Sequence, residues 1–463
     1  MRSPLHAASQ ALCAATFGVG GSLAAALGAA GPEAVVPAQT ACESAPAPSP
    51  PLTSTLALAT FDSAWSLIHN RHFDTTFNGV DWQALGRELR PRAGAAGDVE
   101  ALRAVIRDML GRLGQSHFAV IPREASPDPE TPVAAQGETG IVLRVIGRDA
   151  LVAAVDSGSP ADRAGVRAGW IVLAVDGCPI ADLAQLDLPG LAPRAARRRA
   201  VARIERRLDG DAGSSVRLSL ADASGVRHDL LLERAVPLHE MARFGGLPPT
   251  RATIESRRVE IAPGASVGIV RFSVWLPVLS SRLDAAVEWH RRADGFVLDL
   301  RGNPGGVGGM VMGLAGHFLA TPDTLGTMRM RDQRLHFVSN PRRVSAAGVR
   351  VEPLDAPLAI LVDETTGSTS EVFAGALQAL GRARIFGDTT AGAVLPAVTQ
   401  RLPNGDVLYH AIADFALPAG TRLEGRGVAP DVIAPPTRQA LIAGRDDALD
   451  AALHWLASEI RSR

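Results

Sequence analysis

The sequence predicts a multidomain α+β protein in three parts: a helical first region, a β-rich second region and an α/β third region on a mostly parallel sheet. Three observations carry this. Apolar residues recur at helical spacing over 54–125, alternate at strand spacing at the start of 138–238, and fall into strand-then-helix blocks over 264–440. A chain of 463 residues has room for about three domains of ordinary size.

The amino terminus stands apart from these regions. Residues 1–30 hold Arg2 and then an apolar, small-residue run from Ala11 to Ala30 without an acidic residue, with a small-residue cleavage site such as Gly28-Ala29-Ala30. That pattern reads as a secretory signal in preference to a permanent membrane span, because the run is rich in Gly and Ala and only weakly hydrophobic. Residues 31–53 are rich in Pro, Ala and Ser and read as a disordered linker. An exported chain follows, periplasmic or secreted, with no stable membrane span once the signal is removed. Cys42, after Thr40-Ala41, is a candidate lipid-anchor site. Cys13 leaves with the signal, and the positions of Cys42 and Cys178, one in a linker and one in a folded segment, argue against a structural disulfide.

In the first region Leu56, Phe61, Trp65 and Ile68 repeat at helix spacing, and VEALRAVIRDMLGRL (99–113) repeats the pattern until Gly114 stops it. The second region opens with the strands GIVLRVI and ALVAAVD, continues through Gly158-Ser159-Pro160-Ala161 to a short helix, and resumes with WIVLAVDG. Its basic stretch, Arg194 to Arg207, carries Val201 and Ile204 on one face, continued by Leu208. Glu205 and Asp209 interrupt it and aromatics are absent, so it reads as a solvated amphipathic helix and no nucleic-acid site. In the third region VGIVRFSV leads to a helix near 282–291, GFVLDLRG leads through a glycine-rich loop to a helix near 310–319, and LAILVDE meets the turn TTGSTS and the helix EVFAGALQAL before ARIFGD. A helix over 441–463 closes the chain. Ligands of such a sheet lie beyond the carboxyl ends of its strands, which directs attention to the loops after 296–300 and 358–362.

Composition narrows the chemistry available there. All 47 residues counted as Lys+Arg are arginine. Without lysine the chain cannot form a P-loop, a Schiff base or a Ser-Lys dyad. The net charge of -1 gives no bulk attraction to nucleic acid or anionic membrane. No metal or organic cofactor is indicated: His69-x-x-His72 with Asp74 lacks further ligands at a recognisable spacing and reads as surface.

In Gly367-Ser368-Thr369-Ser370-Glu371, a serine at a strand-to-helix turn exposes its oxygen beside backbone N–H groups able to bind an oxyanion. The same turn also reads as a plain N-cap, with Glu371 opposing the helix dipole. In Arg301-Gly302-Asn303-Pro304-Gly305-Gly306, glycines let the backbone approach a reacting carbonyl closely, and Asp299 reads as a brace for that loop. A serine nucleophile needs a base, and His117 stands where the helix ending at Leu113 gives way to the strand FAVIP. An imidazole suits proton transfer near neutrality once a carboxylate or hydroxyl fixes its tautomer; Ser116 and Glu424 are the candidates.

Taken in order, Gly-x-Ser-His, the Gly-Ser-Pro-Ala segment, DLRGNPGG, a strand ending in VDE, GSTSEVFAGAL and EGRGVAPD resemble the C-terminal processing peptidases (tail-specific proteases) and their tricorn-core relatives, over about 54–440. The resemblance implies a PDZ-like domain over 138–238 and a ClpP/crotonase-type serine protease core over 264–440. The PDZ-like segment would take a peptide carboxylate near Gly140, Ile141 and Val142. Where the family's lysine branch carries its base, this chain has Ala393. The tricorn-like branch implies Ser368 as nucleophile in preference to Ser370, His117 as base, Ser116 as supporting hydroxyl and Glu424 as orienter. It also implies Thr369 N–H and Gly305 or Gly306 N–H as the oxyanion donors. The expected activity is a serine-type endopeptidase acting on peptide or protein substrates. The alternatives are an inactive relative that binds peptide or a hydrophobic ligand, and a scaffold in which only the PDZ-like region works. Oligomeric state leaves no mark in the sequence.

Overall fold

The computed structural model describes residues 50–126, 136–184, 193–345 and 347–463. The expected signal, Cys42 and the linker as far as residue 49 lie outside them; the last residues of the expected linker, 50–53, are instead ordered, Pro51 bridging to Asp98 and Leu52 N donating to Gly97 O at 3.2 Å. No helix among the described residues is long and apolar enough to cross a membrane.

Three helices, Ser54–Arg71, Trp82–Gly94 and Val99–Gly111, open the described chain. Each begins where a side chain caps it: Thr53, Asp81 and Asp98 accept from the N–H three residues on. Their apolar stripes meet in a core of Phe61, Ile68, Trp82, Leu89, Ile106 and Met109. Gly114, at φ +62°, ends this run. The chain then turns at His117, also left-handed at φ +62°, into the strand Ala119–Ile121. His72, expected at the surface, is fully buried instead: its Nε2 meets Gln115 Oε1 at 3.0 Å, which braces the segment leading to Ser116 and His117.

The second region is an antiparallel sheet in which Ile141–Ile146 is an edge strand, followed in space by Asp149–Val155, Ile171–Val175, Ser215–Ala221 and Arg227–Glu233. The helix Pro193–Leu208 packs Ala200, Val201, Ile204 and Leu208 onto this sheet. Its other face is not wholly given to water. Arg197 Nε meets Glu364 Oε2 at 2.7 Å, Arg198 donates to the Ala391 carbonyl at 3.3 Å, and Arg194 donates to the Arg426 carbonyl at 3.0 Å. Arg144 of the edge strand pairs with buried Asp363 at 2.8 Å. Burial opposes ionisation of Asp363, but the Arg144 charge and several hydrogen bonds outweigh it and hold the carboxyl below its ordinary range. The arginines expected in solvent therefore clamp this sheet to the third region. Cys178 is disulfide-bonded, against the sequence expectation; its partner lies outside the described residues.

The third region is a six-stranded sheet in the order Ile254–Ala262, Ala265–Phe272, Gly295–Asp299, Leu358–Val362, Ala383–Gly387, Val432–Ile433. The first pair is antiparallel and the rest parallel. The two central strands, Gly295–Asp299 and Leu358–Val362, are buried throughout, which is why they read as near-continuous apolar runs. One face is covered by Pro277–Trp289 and Thr369–Ala379, the other by Asp447–Ser462, whose Leu449, Ala452 and Leu456 meet Val297 and Leu361. Two antiparallel additions were not expected: the hairpin Thr324–Arg329 with Arg334–Val338, and a small sheet in which Val407–Ala411 lies between Ala119–Ile121 and Ala397–Arg401. That small sheet ties the first region to the third and sets His117 on the cleft that Ser368 also lines.

Candidate active site

The fully buried strand Leu358–Val362 delivers the chain to the turn before helix Thr369–Ala379, and Ser368 sits at its apex with φ +52° and ψ -119°. A non-glycine residue in such a conformation is strained and must be held by its surroundings. The holding group is Glu371, fully buried, whose carboxylate accepts from Ser368 N (3.0 Å), Ala393 N (2.9 Å), Gly392 N (2.7 Å) and Thr390 Oγ1 (2.6 Å). Burial pushes the Glu371 carboxyl up, and these four hydrogen bonds act against that. Glu371 is thus a clamp joining the Ser368 turn to the segment carrying Ala393. The sequence showed it only as a first-turn acid.

The turn separates its two serines. Ser370 is fully buried and its Oγ accepts from the Trp275 indole at 2.8 Å, whereas Ser368 is half-buried and lines a cleft of about 700 Å³. The glycine-rich loop is laced to the same turn: Gly367 N donates to Asn303 O at 3.0 Å and Thr369 Oγ1 to Gly306 O at 2.9 Å. A Cβ on Gly305 would stand 2.6 Å from Ser368 Cβ, so only glycine fits there. The Gly305 N–H already donates to Asn303 Oδ1 at 3.0 Å, which takes it out of the expected oxyanion pair. No hydrogen bond from the Gly306 or Thr369 amide is found among the described residues. Asp299 braces the loop as expected, pairing with Arg301, which also meets Asp446.

His117 lines the same cleft as Ser368. Its Nδ1 lies 2.7 Å from Ser116 Oγ; Ser116 Oγ donates to Glu424 Oε2 at 2.9 Å and Ser116 N to Glu424 Oε1 at 2.8 Å. Glu424 also accepts from Val394 N at 3.0 Å. Glu424 therefore reaches the imidazole through Ser116 and not directly. Desolvation, followed by the charge of Arg198, lowers the His117 pKa to about 4, which keeps the ring neutral over the physiological range. Tyr409 closes the wall beside it, ring centroids 5.5 Å apart. Gly140, Ile141 and Val142 stand at the start of the edge strand Ile141–Ile146, with Gly140 at φ +77° packed against Ser159. Glu138, Asp156 and His239 come together, but Arg251 fills their midst, 2.6 Å from Glu138 and 2.8 Å from Asp156.

A strained serine on a strand-to-helix turn, free amides beside it and a hydroxyl-linked histidine in one cleft define the class as a serine hydrolase. The profile of Peptidase family S41 matches residues 266–434, that of the Tricorn protease C1 domain residues 58–111 and that of a PDZ domain residues 151–187. The carboxyl-terminal-processing protease of Synechocystis sp. is 26% identical over 383 residues, covering 80% of this chain and 79% of its own. Its counterpart in Picosynechococcus sp. is 28% identical over 398 residues, covering 83% and 85%. Among solved structures, the photosystem II D1 C-terminal processing protease superposes with TM-score 0.56 at 23% identity, covering 85% of this chain and 98% of that one. Mature CPAF superposes at 0.61 with 16% identity, covering 88% and 98%. Over residues 266–434 the chain matches peptidase family S41, and it is a serine-type peptidase with a PDZ domain, acting on protein substrates.

Proposed function

We propose that the chain is an endopeptidase in which Ser368 is the nucleophile and His117, in place of a lysine, is the base. The observation that carries this is the run of hydrogen bonds from Glu424 through Ser116 to His117 Nδ1, which leaves Nε2 as the nitrogen for the serine proton in the cleft that Ser368 also lines. Ser368 Oγ attacks a peptide carbonyl, and the Gly306 and Thr369 amides receive the oxyanion, each contributing about 3 kcal/mol of barrier reduction. His117 takes the serine proton and returns it to the leaving amine, and water then releases the acyl group by the reverse sequence. The substrate's carboxyl end is captured by Gly140, Ile141 and Val142, its backbone extending the sheet at the free edge of Ile141–Ile146. The chain acts after export.

A fluorophosphonate probe tests the assignment. Stoichiometric labelling of the Ser368 peptide, read by mass spectrometry, is expected; a folded sample that takes no label there favours an inactive binder.

The pH profile of kcat/KM is a second test. Only the neutral imidazole accepts the proton, so activity is present above the His117 pKa and falls as pH drops through it. With that pKa at about 4, the acid limb is expected near pH 4, not near 6.5. An acid limb at 6.5 or above counts against this environment for the base.

A further inference from the structure

The sequence contains one tyrosine, Tyr409, and the fold places it in the active-site cleft. It lies in the middle of strand Val407–Ala411, where alternate side chains face opposite sides of the small sheet. Leu408 belongs to the helical core of the first region, and Tyr409 points the other way, level with Ala119 on one neighbouring strand and Thr399 on the other. Its ring is tilted 50° to the His117 imidazole at 5.5 Å. No hydrogen bond of its hydroxyl is found among the described residues, and the residue is half-buried.

The rest of the cleft makes that hydroxyl conspicuous. The walls are largely apolar, including Leu276, Met328, Phe337 and Phe415. Of the three lining threonines, Thr369 donates its hydroxyl to Gly306 O, Thr399 accepts from Gly246 N at 3.4 Å, and Thr250 stands on the separate strand Thr250–Arg251. An extended peptide entering such a cleft brings carbonyls that lose their water and need donors in exchange. Burial pushes the Tyr409 phenol up to about 12, so it remains a donor throughout the working range.

We propose that Tyr409 is a substrate-positioning residue of this peptidase: its ring forms the wall against which the His117 imidazole rests, and its hydroxyl donates to a backbone carbonyl of the bound peptide next to the scissile bond. This rests on the Ser368–His117 reading above. It assigns the sheet Ala119–Ile121, Val407–Ala411, Ala397–Arg401 a part in substrate binding as well as in joining two regions.

Y409F removes the hydroxyl and keeps the ring. An internally quenched peptide library supplies a cleaved member, on which KM and kcat are measured for the parent and the variant; a small fluorophosphonate, which has no peptide backbone, reports the serine and its base separately. Y409F is expected to raise KM about 5- to 10-fold, the size of one hydrogen bond, while kcat changes less than about threefold and the fluorophosphonate rate stays within about twofold. Y409A, which also removes the wall, is expected to slow labelling. Parent-like KM in Y409F overturns the proposal, as does an equal fall in kcat and labelling rate, which would place the hydroxyl in the support of the fold. Absence of Ser368 labelling in the parent overturns the catalytic reading and this one together, whereas normal labelling with an unaffected KM overturns this one alone.

Discussion

His117→Ala is expected to lower kcat/KM on peptide substrates by about 10⁴-fold or more, and Ser368→Ala by as much. The two losses arise from one event. Without His117 the serine hydroxyl keeps its proton: the Glu371 carboxylate behind the turn is taken up by four donors, and Glu424 is separated from the cleft by Ser116, to which it is bound at 2.9 Å. Lysine cannot substitute, because the chain has none. The double variant should therefore be scarcely slower than either single one, as for residues that act as a unit. Both side chains are half-buried on a cleft wall, so thermal unfolding should move little. A His117→Ala protein that retains activity within tenfold of the parent would sink the assignment.

Glu371→Ala is expected to have the next largest effect, and on two readouts at once. The substitution leaves three backbone N–H groups and the Thr390 hydroxyl without their acceptor in a buried site. An unsatisfied buried donor costs about 1–3 kcal/mol, so a loss of about 3 kcal/mol or more is expected in denaturant unfolding. The Ser368 turn, held at positive φ by this clamp, should relax toward ordinary backbone and carry the hydroxyl away from the Gly306 and Thr369 amides. Labelling of Ser368 by a fluorophosphonate should then fall by at least about 100-fold even at temperatures where the variant is folded. A Glu371→Ala protein with parent stability and a parent labelling rate would mean that the turn holds itself.

Much of this site was legible in sequence because its groups sit on locally marked features. Ser368 occupies a strand-to-helix turn, His117 follows a glycine helix stop, and the glycines of 302–306 have few alternative uses. The choice between Ser368 and Ser370 was not local. It turns on which hydroxyl is buried against the Trp275 indole, a residue 95 positions away. The arginines of helix Pro193–Leu208 were misread for the same reason, since helical periodicity shows which face is apolar and not what the polar face meets. His72 was misread because a histidine after a helix looks alike whether water or Gln115 receives its ring nitrogen.

What the sequence by itself determined was the element types, the absence of any lysine chemistry and the short list of groups able to act. Those follow from periodicity and residue identity, which are local properties. Only the tertiary structure decided which of them meet. Ser116 and Glu424 are 308 residues apart, and their contact exists because a parallel sheet brings the Glu424 turn beside helix Thr369–Ala379 while a three-stranded sheet draws the first region across to it. The same closure brought the chain's one tyrosine to within 5.5 Å of the His117 ring. Hydrogen bonds and burial are properties of pairs, and a chain read one residue at a time does not contain them.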